Sequence, residues 1–183
     1  MIMAKVKAKE WYPIVAPKMF GGKVIGETFV LDPESVAKRT VEATLYDLGG
    51  DSSRFYFKLF FKITGIADGK ASTAFVGHEC MRDFIARIVQ PRTNRIDTND
   101  VFDLKDAKLR VKTIAITNRL VKASIPTDIR KRISELLKER MSGMTLDEFV
   151  GQMIEGKLQA EVRAQLNKIY PIRAFELHKT RVL

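Results

Sequence analysis

The run Arg54-Phe55-Tyr56-Phe57-Lys58-Leu59-Phe60-Phe61-Lys62-Ile63 is the longest strand-like segment of this 183-residue chain, and it decides the fold class. Every second residue from Phe55 to Ile63 is large and apolar, and a period of two places these side chains on one face of a β-strand. The opposite face carries Arg54, Tyr56, Lys58, Phe60 and Lys62. The run therefore predicts a sheet with one buried face and one basic, aromatic face.

The segments around this run extend the sheet. Asp68-Gly69 is a turn signal between the run and an apolar segment at 71–76, which predicts a β-hairpin. Four further strands are predicted at Thr28–Leu31, Val41–Tyr46, Asn99–Leu104 and Lys108–Thr117, and a short helix is predicted at about Glu79–Gln90. Strands therefore dominate the first two thirds of the chain.

The last third changes from strand patterns to helix patterns. Thr145 and Glu148 have the spacing of a capping box, which starts a helix. Apolar periodicity predicts helices at about 129–141, 145–155 and 158–169, and alternation predicts a closing strand from about 172 to 179. The whole pattern predicts an α+β fold with a mostly antiparallel, β-barrel-like core and a C-terminal helical part.

The first 25 residues are predicted to form a basic, extended strap. Pro13 and Pro17 fix their own backbone angles and push the preceding residues toward extended geometry, which excludes a helix here. Its candidate RNA contacts are Lys5, Lys7, Lys9, Trp11, Tyr12, Lys18 and Lys23. The alternative is an arm that only packs Trp11 and Phe20 on its own domain. We expect three regions: the strap at 1–25, the core at 26–122, and C-terminal helices with a closing strand at 123–183.

The charge of the chain favours an anionic partner. Lys and Arg number 32 against 22 Asp and Glu, for a net charge of +10. Residues 1–25 and 101–124 each carry +4, whereas residues 26–50 carry −3. A membrane surface is the rival to nucleic acid, but the cations are spread over strands and loops instead of along one amphipathic helix. The pattern favours nucleic acid and no membrane partner.

Sequence patterns for catalysis, metals and cofactors are weak. Gly21–Thr28 has nearly the spacing of a phosphate-binding loop, but Glu27 occupies the position that needs a lysine. One Cys and two His cannot supply four ligands to a structural zinc site. Cys80 is more consistent with a small buried side chain, and His78 with a polar residue at a strand-to-helix junction. We expect no enzyme, no metal and no cofactor.

The remaining candidate RNA contacts lie on strands, loops and one helix. Arg54, Tyr56, Lys58 and Lys62 share the polar face of the central run. Downstream candidates are Arg92, Arg95, Lys108, Arg110, Lys112, Arg119 and Lys122. Stacking on a base and burial are equal alternatives for Tyr56, and burial is favoured for Phe60.

A basic triplet, Arg130-Lys131-Arg132, is predicted to open the first C-terminal helix. Cations near a helix N-terminus oppose the helix dipole, and a phosphate bound there would relieve this conflict. The triplet is therefore a further candidate RNA contact.

Motifs spread along the whole chain resemble one protein family. They are Trp11-Tyr12, Ala16-Pro17, Met19-Phe20, Ile25-Gly26, Phe75-Val76-Gly77-His78-Glu79 with Arg82-Asp83, and Ile169-Tyr170-Pro171-Ile172. Their order and spacing are similar to those of the archaeal and eukaryotic small-subunit ribosomal protein S-one-e family, also called S-three-a. Eukaryotic members carry longer basic tails at both ends, so the chain resembles an archaeal-type member.

The resemblance implies a β-barrel core with helices beside it and a structural place in the small ribosomal subunit. It further implies a position on the platform near the messenger exit and the 3′ end of the subunit RNA. Implied partners are small-subunit ribosomal RNA, neighbouring ribosomal proteins and messenger RNA near the exit.

Two other functional classes stay open from the residues. One is a free single-stranded nucleic-acid-binding protein with a barrel fold and a stacking platform at Tyr56 and Phe60. The other is a nucleic-acid enzyme, for which no acid–base or metal cluster can be assembled. A single cysteine excludes an intrachain disulfide and fits a reducing compartment, so we expect a cytoplasmic protein.

Overall fold

The computed structural model describes residues 10–31, 36–37, 39–49 and 54–183. The strands are β1 (Glu10–Val15), β2 (Val24–Val30), β3 (Thr40–Thr44), β4 (Phe57–Ala67), β5 (Lys70–Cys80), β6 (Arg95–Asp103), β7 (Lys108–Thr117) and β8 (Ile172–Val182). The helices are α1 (Arg82–Ile88), α2 (Ser124–Met141), α3 (Leu146–Glu155) and α4 (Lys157–Leu166). The candidates Lys5, Lys7 and Lys9 lie outside the described residues.

The chain divides into two compact units, residues 1–76 and 77–183. In the first unit β1 pairs antiparallel with β2 and parallel with β5, where Ile14 lies opposite Ala71. Strand β4 pairs with β3 and β5. Residues 10–15 of the predicted strap are therefore extended, and they form a strand of this sheet instead of a separate arm.

The core of the first unit follows the alternation of β4. Phe57, Leu59, Phe61 and Ile63 are all essentially inaccessible to solvent. Phe20, from the 3-10 turn Lys18–Phe20, packs edge-on against Phe61 with ring centroids 5.2 Å apart, and it also contacts Phe75. The buried face of the central run is thus confirmed over residues 57–63.

The start of the run was predicted wrongly. β4 begins at Phe57, and Arg54–Tyr56 lie in a turn ahead of it. Alternation does not hold outside the strand, so the faces of Phe55 and Tyr56 are the reverse of those expected. Phe55 is 48% exposed, whereas Tyr56 is 8% exposed. The Tyr56 ring packs against Phe57, with the two ring centroids 4.7 Å apart. Burial is therefore the outcome for Tyr56, and its ring is not available to stack on a base.

In the second unit the end of β5 pairs with β8, β8 with β7, and β7 with β6, all antiparallel. Helix α2 packs beside β6, and α4 packs beside β8 and against α2 and α3. The buried side chains between sheet and helices include Ile114, Ile116, Ile129 and Leu137. Strands and helices together confirm the α+β prediction.

The term barrel applies only loosely to this sheet. Hydrogen bonding runs in the order β2-β1-β5-β8-β7-β6, with β4 joining β5 and β3 joining β4. Over the part of the chain that the structure describes, no pairing joins the ends of this order. The sheet is open and, apart from the β1–β5 pair, the registers recorded are antiparallel.

The helices confirm some boundaries and correct others. Thr145 Oγ1 accepts from the Glu148 amide at 3.3 Å, and Glu148 Oε2 accepts from the Thr145 amide at 3.0 Å, so the capping box is present. Helix α1 is shorter than expected because β5 continues through Cys80 to pair with β8. Helix α2 starts at Ser124, well before the basic triplet.

A buried histidine ties β5 to β8. His78 Nε2 lies 2.8 Å from the Leu177 carbonyl oxygen, which can only accept, so Nε2 carries the proton. Nδ1 then accepts from the Thr180 hydroxyl at 2.6 Å, and that hydroxyl accepts from the His78 amide at 3.2 Å. The neighbouring Gly77 is needed here, because an added Cβ would lie 2.2 Å from the Thr180 carbonyl oxygen.

This histidine should make stability depend on pH. Burial lowers the pKa of His78 from 6.5 to about 4. Between these values the unfolded chain binds a proton that the folded chain excludes, so the free energy of unfolding falls as the pH drops from 6.5 to 4. We expect His78 to contribute up to about 3 kcal/mol of this loss.

Urea unfolding of the wild type and of H78Q at pH 7, 5.5 and 4 measures this contribution. The glutamine variant keeps a donor for Leu177 and an acceptor for Thr180 but does not titrate. The wild type should lose more stability than H78Q over this range, and equal losses in the two proteins would contradict the assignment.

Candidate nucleic-acid interface

Five cations lie on one exposed sheet face of the second unit, and we call them the cationic strip: Lys108, Arg110, Lys112, Lys179 and Arg181. The register of β7 and β8 places Arg110 directly opposite Arg181 and Lys112 directly opposite Lys179. Side chains directly opposite in an antiparallel pair have Cβ atoms about 5 Å apart and point to the same face. The strip is thus a two-by-two block of cations extended by Lys108.

Among the residues that the structure describes, carboxylates pair with two members of the strip. Lys179 Nζ lies 2.7 Å from Glu79 Oε2, and Lys108 Nζ lies 3.3 Å from Asp103 Oδ1. On the β6 side, the residues opposite Arg110 and Lys112 are the uncharged Val101 and Asn99. Among the described residues, no ion pair involves the remaining three cations, Arg110, Lys112 and Arg181.

This arrangement suits a ligand with repeated negative charge. Like charges directly opposite each other on a sheet are destabilising, and an anion between them offsets the repulsion. Along one strand the cations recur every second residue, about 6.6 Å apart, so the block presents a row of charges to an extended partner. A phosphate backbone supplies such a row, and arginine binds phosphate oxygens in a bidentate manner.

Sequence reasoning identified three of the five residues of the strip. Lys108, Arg110 and Lys112 were predicted to share a face, and all three are exposed on β7. Lys179 and Arg181 were missed, because only the pairing of β8 with β7 brings them beside Arg110 and Lys112. Arg181 also lies beyond the predicted end of the closing strand, and strict alternation would place it on the face of the buried Phe175 and Leu177. The register shift between Lys112 and Thr113 is what places Arg181 on the exposed face.

The β4 candidates do not form a comparable surface. Lys58 Nζ pairs with Glu42 Oε1 of β3 at 3.6 Å, and Tyr56 is buried. Lys62 is exposed, whereas Arg54 is partly buried in the turn before the strand. The predicted combination of cations and stacking rings on this face is therefore corrected in one respect: Tyr56 is buried, and Lys58 already has a carboxylate partner.

The argument for the basic triplet was also wrong. The triplet begins at the seventh residue of α2, and the dipole effect is confined to the first turn of a helix. Arg132 pairs with Glu135 at 3.1 Å, and Arg130 and Lys131 border a cleft whose other wall includes Asp97 and Asp100. The helix dipole therefore gives no reason to expect a phosphate at the triplet, and Arg132 already has a carboxylate partner.

The other candidates are dispersed. Trp11 is 64% exposed, and its ring lies 4.8 Å from that of Phe29, so it rests on its own hairpin and still faces solvent. The Tyr12 hydroxyl donates to Glu10, and Lys23 donates to the Leu48 carbonyl. The remaining exposed candidates are Lys18, Arg92, Arg95, Arg119 and Lys122, of which Arg95 pairs with Asp97 at 3.0 Å.

The side chains of Cys80 and His78 in the second unit are both buried. Burial raises the pKa of the Cys80 thiol, which donates to the Leu177 carbonyl at 3.2 Å. The Cys80 prediction is confirmed, and His78 is a buried member of β5. Within the described ranges, no three His, Cys, Asp or Glu side chains converge as a metal-binding group. No helix in those ranges is long and apolar enough to cross a bilayer.

Fold and surface together define a class: a basic α+β protein whose exposed sheet face suits a polyanion. The chain matches the model of the Ribosomal S3Ae family over residues 2–183, and it belongs to that family. Membership confirms the resemblance drawn from the motifs, and it confirms a structural rather than an enzymatic class of protein.

Its relatives include archaeal proteins named small ribosomal subunit protein eS1. The chain is 42% identical to that of Sulfurisphaera tokodaii over 183 residues, which cover 100% of this chain and 95% of the relative. It is 40% identical to that of Methanothermobacter thermautotrophicus, with coverage of 97% and 91%. It is 39% identical to that of Staphylothermus marinus, with coverage of 98% and 85%.

The cationic strip should leave the stability of the folded protein unchanged or should lower it slightly. Replacing Arg181 by Ala removes the charge opposite Arg110, so thermal unfolding at low salt should occur at the wild-type temperature or slightly above it. The difference should shrink at 1 M salt, where exposed charges are screened. Calorimetry of the two proteins tests this, and a loss of several degrees in R181A would show that Arg181 stabilises the fold.

Proposed function

We propose that this protein is a structural constituent of the small ribosomal subunit and that it binds ribosomal RNA through the cationic strip. The observation that supports this most directly is the pair Arg110 and Arg181, held directly opposite each other with no carboxylate partner among the described residues. Family membership supplies the ribosomal setting, and the strip supplies a surface of the right charge.

We further propose a position on the subunit platform, near the messenger exit and the 3′ end of the subunit RNA. The family resemblance of the motifs supports this position. Neighbouring ribosomal proteins, and messenger RNA near the exit, are the other proposed partners, and the proposed compartment is the cytoplasm. Chemical probing of the 3′ region of the RNA, in subunits assembled with and without the protein, tests the position.

A free single-stranded nucleic-acid-binding protein is the less favoured alternative. Such proteins combine cations with exposed rings on which bases stack. Here the expected platform on β4 is lost, because Tyr56 is buried and Lys58 is paired with Glu42. The strip carries cations without a ring among its members, which favours contacts to phosphates over contacts to bases.

The double variant R110A/R181A tests the proposed function. Each lost phosphate contact lowers the steepness of log K against log salt by a little under one, so the double variant should bind ribosomal RNA with a slope shallower by about 1.5. Filter binding to small-subunit RNA at 50–300 mM salt gives the slope. Incorporation of the variant into subunits should fall in parallel.

A charge-matched control separates position from net charge. K138A/K168A removes the same number of positive charges from exposed positions on α2 and after α4. Its slope and incorporation should stay close to those of the wild type. Equal losses in the two double variants would mean that overall charge, and not the strip, carries the binding.

A further inference from the structure

A cleft of about 560 Å³ lies in the same unit as the cationic strip. Its apolar wall is formed by Ile85, Ala86 and Val89 on and beside α1, and its polar wall includes Arg95 of β6 and His178 of β8. The polar members Glu79 and Arg82 complete its rim. The cleft thus combines an apolar surface with flat, nitrogen-bearing side chains.

A smaller cleft of about 290 Å³ connects this site to the strip. It shares Arg95 and His178 with the larger cleft, and it is also lined by Asn99 and Lys112. Lys112 belongs to the strip and lies directly opposite Asn99 on β6. From Asn99 to Arg95 is four residues, or about 13 Å along the strand. A chain whose phosphates lie on the strip can therefore reach the larger cleft.

The side chains that face this cleft are held in place. Arg95 Nε donates to Asp97 Oδ1 at 3.0 Å, which orients the guanidinium plane. Glu79 is already engaged by Lys179 and does not oppose an incoming polyanion as a free charge. His178 is half-buried, and its pKa is lowered by burial and by Arg95. A neutral imidazole offers both a donor and an acceptor to a partner.

We propose that this cleft binds a single unpaired base of an RNA whose phosphates lie on the cationic strip. Unpaired RNA bases are bound by stacking on histidine rings or arginine planes and by hydrogen bonds to their edges. The cleft offers one histidine, two arginines and an apolar wall on which one flat ring can lie. This inference rests on the proposed function, and it adds to phosphate binding a preference for RNA with an unpaired nucleotide.

A side chain of a neighbouring protein is the rival occupant of the cleft. Continuity with the strip favours the base, because the lining residue Lys112 is one of the three strip cations without an ion pair in the described part of the chain. An apolar protein side chain would use the wall of α1 but would leave the two arginines and the histidine without a role.

The test compares two RNA probes that differ by one nucleotide. One is a fully paired duplex of about 20 base pairs, and the other is the same duplex with a single bulged adenosine. The wild type should bind the bulged duplex about tenfold more tightly, a size typical of one stacked base. Fluorescence anisotropy at fixed salt measures both affinities with the full-length protein.

A variant that fills the cleft should remove this preference. Ala86 is exposed on α1, so A86L adds bulk to the cleft wall without an aromatic ring that could itself stack on the base. Its affinity for the paired duplex should match the wild type, and its affinity for the bulged duplex should drop to that value. A164L, at an exposed position of α4, is the matched control and should keep the tenfold preference.

The outcomes separate this inference from the proposed function. If the wild type binds both duplexes equally and with a steep salt dependence, phosphate binding by the strip is supported and the proposed base site is overturned. If A86L keeps the preference, the base binds elsewhere and the cleft is free for a protein side chain. If neither duplex binds, the proposed function itself fails. Should A86L not fold, R95M removes the planar cation instead and should abolish the same preference.

Discussion

The position of β8 between β5 and β7 is the constraint on which the second unit depends. β8 is the last strand of the chain, yet it pairs with β7 along nearly its whole length and with the end of β5. The Gly77 backbone allows a close approach to Thr180, and His78 hydrogen-bonds to both Leu177 and Thr180. A shift of one residue would send every side chain of β8 to the opposite face, so these contacts specify the register.

That register determines the chemistry of the exposed face. With β8 in place, Phe175 and Leu177 are buried and Arg181 lies opposite Arg110. Burying one such apolar side chain contributes about 1.5–3 kcal/mol, whereas one pair of opposed like charges costs about 0.2–1 kcal/mol. Burial outweighs repulsion, so the fold can hold unpaired cations together before any anion arrives.

The sequence predicted features that depend on local pattern. Alternation from Phe57 to Ile63 identified the buried face of β4, the bounds of β7 were predicted as observed, and Thr145 with Glu148 marked the start of α3. Each of these is decided within a few residues, by side-chain period or by a local hydrogen bond. For Tyr56 the sequence left stacking and burial as equal alternatives, because β4 starts at Phe57, three residues after the start of the alternating run.

The candidate site depended on pairing between distant segments. Arg110 and Arg181 are 71 positions apart in the chain, and no local pattern indicates that they are opposite. The cleft likewise needs α1, β6 and β8 together. The basic triplet shows a different kind of error. The sequence argument placed Arg130 at the start of a helix, but α2 begins at Ser124, so the argument about the helix end does not apply. Local periodicity predicts elements, and only their pairing creates the surface.

The central claim is that the cationic strip faces ribosomal RNA. Crosslinking of protein to RNA inside intact small subunits, with the attachment points mapped by mass spectrometry, tests it most directly. We predict attachment within 108–112 of β7 and 179–181 of β8. Attachment confined to the helices at 124–166, with Lys108 and Lys112 still open to an amine-reactive reagent in the subunit, would contradict the account.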